Sequence, residues 1–186
     1  MITRIVLALS LVLFIAPTLL SNAATLQKRD HLTAQEVDLV KEAQALDKRI
    51  EVFIKAADRR LMVITNSSAA SAKQLKKDAE RWGELPSGSR AELVADIAHI
   101  LDEAITNIDD VSARDERNPL IPKSLRKLAQ SVNTILAQLK PLSAQAKSDA
   151  EVASFALLDE DAQSILEAAG KLPAEVEKKA KKNDKK

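Results

Sequence analysis

The chain has 186 residues, with 28 Lys and Arg against 27 Asp and Glu and a formal net charge of +1. That balance, with only three Phe, one Trp and no Tyr, excludes the basic, aromatic-studded surface of a nucleic-acid binder. The absence of cysteine removes disulfides, thiol catalysis, zinc–thiolate sites and covalent haem attachment, so apolar burial alone must hold the fold.

Residues 1–23 open with Arg4, run apolar from Ile5 through Leu20 and close on Ser21-Asn22-Ala23. One basic residue, an apolar stretch and a small-x-small site predict a secretory signal peptide cut after Ala23. The run is short of the ~20 residues a spanning helix needs, and it contains Pro17. Cleavage leaves 163 residues carrying 27 basic and 27 acidic side chains, enough for one domain with a sizeable core.

After a polar lead over 24–32, Thr33-Ala34-Gln35-Glu36 has the form of a capping box. Leu39, Ala43, Leu46, Ile50, Phe53, Ala57, Leu61 and Ile64 then step by three or four residues. The spacing predicts one long helix from Thr33 to Ile64, because such positions share a stripe. The other face carries Asp38, Lys41, Glu42, Asp47, Lys48, Arg49, Glu51, Lys55, Asp58 and Arg59, and is expected to be solvated. Val52 and Val63 fall on that polar face and would suit a second seam toward another protomer or partner if they are more than scattered surface residues. Thr65-Asn66-Ser67-Ser68 should end the helix; Asn66-Ser67-Ser68 also reads as a glycosylation sequon.

A shorter helix is predicted over Ser71–Trp82, with Gly83 stopping it, Pro86 preventing its resumption and Trp82 plugging one end of the core. Ser89-Arg90-Ala91-Glu92 is a second capping box. The helix behind it shows a broad face of Leu93, Ile97, Ile100, Leu101, Ala104, Ile105, Ile108 and Val111. It fades at Arg114-Asp115-Glu116-Arg117, a charged corner suited to salt bridges or a partner contact. Two prolines make 118–122 a turn, and the next helix starts near Pro122 with the stripe Leu125, Leu128, Val132, Ile135 and Leu139. Pro141 should kink or break it, although Leu142 and Ala146 keep the phase. A last helix from about Asp149 points Val152, Phe155, Leu158, Ala162, Ile165 and Ala169 inward and stops at Gly170. The lysine-rich tail 171–186 is expected to be disordered.

Few residue constellations suggest chemistry. Asp96-Ile97-Ala98-His99 approximates the Glu-x-x-His motif of di-metal helical bundles, but with Asp for Glu and in one copy where two are needed. At about 100° per residue, His99 points roughly 160° from the centre of its helix's apolar face, toward solvent. Met62 and His99 as a haem pair fail similarly, since Met62 lies well off its stripe. His99 with Asp102 and Glu103, and Asp109-Asp110, read as solvated charged faces. The only glycines, Gly83, Gly88 and Gly170, build no phosphate loop, and no nucleophile elbow or Ser-His-acid order is available. No catalytic, cofactor-binding or metal residue is assigned, and no cofactor is expected.

The runs VFIKAADRRL at Val52–Leu61 and LDEAITNIDDVSARDERNPLIPKSLRKLA at Leu101–Ala129 resemble stretches of uncharacterised exported all-helical proteins of bacteria. The resemblance implies a bacterial envelope location and carries no activity and no site residues. The reading is an all-α fold: an elongated, mostly antiparallel bundle of three long helices and a shorter fourth over residues 24–170. The expected role is a non-catalytic, exported interaction or structural element in the periplasm or outside the cell. Its partner would be an unknown protein or a second copy. The alternative is a membrane-surface protein aided by the tail, weighed against by the acidic load of the helices. A metal-binding bundle comes third.

Overall fold

The computed structural model describes residues 30–66 and 78–173, and among these every element is helical. The signal peptide, the start of the polar lead, the sequon's two serines, most of the Ser71–Trp82 helix and the tail beyond Pro173 lie outside the described residues. Helix α1 covers Ala34–Glu42, α2 Leu46–Ile64, α3 Arg90–Arg114, α4 Leu120–Ser143 and α5 Asp149–Gly170. Residues 78–82 are also helical. None of the described helices is long and apolar enough to cross a membrane.

Both capping boxes form. Glu36 N–H donates to Thr33 Oγ1 at 3.3 Å while Thr33 N–H donates to Glu36 Oε2 at 2.9 Å. Ser89 and Glu92 repeat the exchange at the start of α3. Each pair satisfies backbone donors that the first helical turn leaves free.

The expected continuous first helix is broken at 43–45, although Ala43-Gln44-Ala45 are good helix formers. A straight helix would hold Glu36 and Arg60 about 36 Å apart, at 1.5 Å of rise per residue. Instead their side chains meet at 2.8 Å, so α1 folds back along α2. Side chains take up the carbonyls that the break frees: Arg49 Nε donates to Ala43 O at 3.1 Å and Gln44 Nε2 to Lys41 O at 2.9 Å. Tertiary burial overrides local propensity here.

The long helices form a ring in the order α2, α3, α5, α4. Helices α2 and α3 run antiparallel: Arg49 Nη1 donates to Asn107 at 3.0 Å near one end, and Arg60 approaches Asp96 at 3.8 Å near the other. Helices α2 and α4 run in the same direction, tied by Lys123–Asp47 at 2.8 Å and Lys127–Glu51 at 2.7 Å. Helices α3 and α5 also share a direction, beginning together at the Arg90–Glu151 ion pair of 2.6 Å. Helices α4 and α5 are antiparallel: Arg126 Nη2 donates to Pro173 O at 2.6 Å, while Lys140 and Ser143 share a cleft with Phe155 and Asp159. Two sides of the ring are therefore parallel, where a mostly antiparallel bundle was expected. The α3–α4 link crosses the ring, so these consecutive helices touch only across its diagonal.

Ile50, Phe53, Ile97, Leu101, Val132, Ile135, Phe155 and Ile165 are buried in one continuous core, as their stripes predict. A smaller cluster of Leu39, Val52 and Trp82 lies under α1. Val52 is thus internal, not part of a seam toward a partner: the folded-back α1 covers it. Val152 departs the other way, being 55% exposed on the first turn of α5. Helix α4 continues through Pro141 and ends two residues later at Ser143, so the proline does not break the helix and lies in its last turn. Gly170 is the last helical residue of α5, and the cap itself is Lys171 at φ −80, so no left-handed glycine ends this helix.

Candidate functional site

The densest polar constellation among the described residues is buried where α1, α2, α3 and the 82–84 turn converge. Glu36 is 0% exposed, Arg60 1%, Arg59 3% and Asp96 4%. The sequence had placed Arg59 on a solvated face. The structure buries it because α1 and residues 78–84 close over that face. The signal was present in Arg60 and Asp96: Phe53-Ala57-Arg60-Ile64 and Leu93-Asp96-Ile97-Ile100 put a cation and an anion in the core phase of successive helices.

The two adjacent arginines reach in different directions. Arg60 Nη1 donates to Glu36 Oε1 at 2.8 Å and to Ala56 O at 2.9 Å, its Nη2 donates to His31 O at 2.6 Å, and its Nε faces Asp96 Oδ2 at 3.8 Å. Arg59 Nη1 donates to Trp82 O at 2.8 Å, and its Nη2 donates to Gly83 O at 3.2 Å and to Glu84 O. Its guanidinium carbon lies 5.7 Å from the centre of the Trp82 ring, and its Nε lies 3.4 Å from Glu36 Oε1. Burial pulls the Arg59 pKa below its ordinary value, and the Glu36 carboxylate beside it acts in the opposite sense. Trp82 O is among the carbonyls left free at the end of a helix, where a cation also meets the negative pole of the helix dipole, and Gly83 O and Glu84 O belong to the turn that follows. Gly83 makes this turn possible: φ is +70, and a Cβ there would lie 3.0 Å from Gln35 Cδ.

The cluster's geometry suits shape-holding. Both carboxylates face guanidinium groups, which repel a metal cation from the same space, and the arginines' remaining donors are directed at backbone carbonyls. Apart from Arg59 Nε and Arg60 Nε, which sit in ion-pair contact only, no nitrogen of the two guanidiniums lacks a hydrogen-bond partner. Removing one partner from such a buried set leaves an uncompensated charge, which is why all members must be present together.

The other sequence candidates are dispersed. His99 is exposed, as its helical phase requires, and tilts against His31 with ring centroids 5.8 Å apart. His31 Nε2 lies 2.8 Å from Glu103 Oε2. Asp96, one turn earlier, is buried against Arg60, so its carboxylate is directed into the bundle while His99 is exposed. Among the described residues no group of three or more His, Asp or Glu is arranged to hold a metal ion. Met62 is half-buried and lines a cleft of about 240 Å³ with Arg59, Asp78 and Leu85, without a histidine. Asp109, Asp110 and Arg114–Arg117 are exposed, with Arg114 3.8 Å from Asp110. Asp161, which no motif singles out, has one carboxylate oxygen buried without a hydrogen-bond partner. Desolvation raises its pKa above the usual carboxylate value, with Asp102 and Glu160 adding to the rise and His99 opposing it.

An open cleft of about 650 Å³ runs along α4 beside Ala169 of α5. Compared with known protein families, curated proteins and solved structures, the chain matches none.

Proposed function

We propose that this chain is an exported, non-catalytic helical-bundle protein that serves as an interaction or structural element of the cell envelope. The observation that carries this reading is the sealed cluster of Glu36, Arg59, Arg60 and Asp96. Its strongest charges are turned onto the protein's own backbone and onto each other, so it fixes the relative positions of four segments and offers no free group to a substrate. The apolar run Ile5–Leu20 ending at Ala23 supports export, as does the resemblance to exported helical proteins of bacteria. The processed domain would then present the α2–α5 bundle, with α1 packed on it, to its surroundings. The cationic side chains Lys123 and Lys127 are engaged by Asp47 and Glu51, which favours protein contacts over a lipid surface.

The test is expression in a bacterial host with cell fractionation, N-terminal sequencing and in-cell cross-linking. The expected product starts at Ala24, lies outside the cytoplasm and cross-links to protein. An unprocessed cytoplasmic product would refute the export part. A processed protein that sediments with anionic vesicles and captures no protein would favour a membrane-surface role instead.

A further inference from the structure

We propose that two copies of this chain associate through the α4–α5 face, each α4 lying on the partner's α5. The inference rests on how charge is divided between two neighbouring antiparallel helices. Within Leu120–Ser143, α4 carries Lys123, Arg126, Lys127 and Lys140 and no acidic residue; Lys123 and Lys127 turn to Asp47 and Glu51 of α2, which leaves Arg126 and Lys140 on the side toward α5. Within Asp149–Gly170, α5 carries Asp149, Glu151, Asp159, Glu160, Asp161 and Glu167 and no basic residue; Glu151 is held by Arg90 of α3 and Asp161 lies near Asp102 and His99 of α3, which leaves Asp159, Glu160 and Glu167 for the α4 side. A face with cations on one side and anions on the other is matched by its own copy under a two-fold axis parallel to the helices, because that operation lays each α4 over the opposite α5.

The heights agree. Arg126 sits near the end of α5, where it donates to Pro173 O, so it comes level with the same end of the partner's helix. The partner's Glu167 is then roughly 9 Å of helical rise away, within reach of two long side chains. Lys140 shares a cleft with Asp159 in its own chain, so it comes level with the partner's Asp159 and the partner's Glu160. The middle of the face holds Gln130, Asn133, Ala137 and Gln163, all exposed and uncharged, so close approach buries no charge there. Small residues Ala129, Ala137 and Ala169 line the 650 Å³ groove between the charged ends and leave room for a facing helix. Two helices of this length side by side offer a face of roughly 600 Å², close to the ~800 Å² that each partner contributes to a specific interface.

This proposal rests on the interaction reading and names the partner as the chain itself; export can fail without touching it. The experiment is sedimentation equilibrium on the protein in the form that accumulates, over the micromolar range and at low salt. The wild type should dimerise, and R126E/K140E and E160K/E167K should each bind themselves at least about tenfold more weakly. Mixing equal amounts of the two variants should restore dimers, since each supplies the charge the other lacks. Unchanged helicity, and an unchanged urea midpoint at protein concentrations low enough that the wild type is also monomeric, separate lost association from lost folding. A monomeric wild type at tens of micromolar, variants that dimerise as well as wild type, or a mixture no better than its parts would each overturn the proposal.

Discussion

Glu36→Gln isolates the charge of the buried cluster with almost no change of shape. The amide keeps an oxygen for the Thr33 N–H, which in the native protein donates to Glu36 Oε2 at 2.9 Å, so the cap survives. What is lost is the anion 2.8 Å from Arg60 and 3.4 Å from Arg59, both nearly without solvent contact. Asp96, at 3.8 Å from Arg60, is then the nearest remaining counter-charge in that pocket. Breaking one partner out of a buried ion pair costs about 3–5 kcal/mol, against a total domain stability of about 5–15 kcal/mol. Urea unfolding followed by circular dichroism reads this directly. With a slope of about 1–3 kcal/mol per molar urea, the midpoint should fall by at least about 1 M. Asp38→Asn is the control, since its pair with Lys41 is 3.7 Å long and exposed and should contribute under about 1 kcal/mol. A Glu36→Gln shift no larger than the Asp38→Asn shift would refute the folded-back placement of α1.

Gly83→Ala should destabilise by about 1–2 kcal/mol, because a left-handed φ penalises any Cβ; Gln35→Ala in the same chain should fail to restore the urea midpoint, as it relieves only the contact. Ile97→Ala should cost about 2–5 kcal/mol by cavity formation, and Ile97→Asp should abolish the cooperative thermal transition. Asp161→Asn should raise Tm at neutral pH and lose that advantage in acid. Its folded pKa is raised, so the folded state holds the proton more tightly than the unfolded chain. The protonated carboxyl therefore supports the fold below the unfolded pKa, and that support disappears as pH rises through the raised folded value. A Tm gain for Asp161→Asn that is equal at acid and neutral pH would contradict this assignment.

What was legible in the sequence was local. Thr33/Glu36 and Ser89/Glu92 announced their helix starts, Gly83 its helix stop, and the 3.6-residue phase of Ile50, Phe53, Ile97, Leu101, Val132 and Ile165 named the core. What was hidden required knowledge of long-range neighbours. Nothing near Ala43-Gln44-Ala45 breaks a helix; the break follows from Glu36 finding Arg60. Val52 looked like a stray surface residue only while α1 was thought to lie in line with α2. Arg59 looked solvated for the same reason. Val152 kept the stripe's spacing but sits one turn into α5, beside the Arg90–Glu151 bridge, where no apolar partner covers it. The buried cluster was half legible, since Arg60 and Asp96 stood in apolar phase on successive helices and only their meeting was unseen.

The short connection 115–119 has a consequence for topology. Facing helices pack about 10 Å apart, so opposite corners of a four-helix square are about 14 Å apart. A strand of five residues spans about 17 Å when stretched, and this one spends part of that length on the turn closed by Asn118 N–H and Asp115 O at 3.1 Å. Little slack remains. Lengthening the connection would leave the present neighbours in place, whereas deleting two residues would strain the crossing. The identity of adjacent rods is thus written into a handful of polar residues that bury almost nothing.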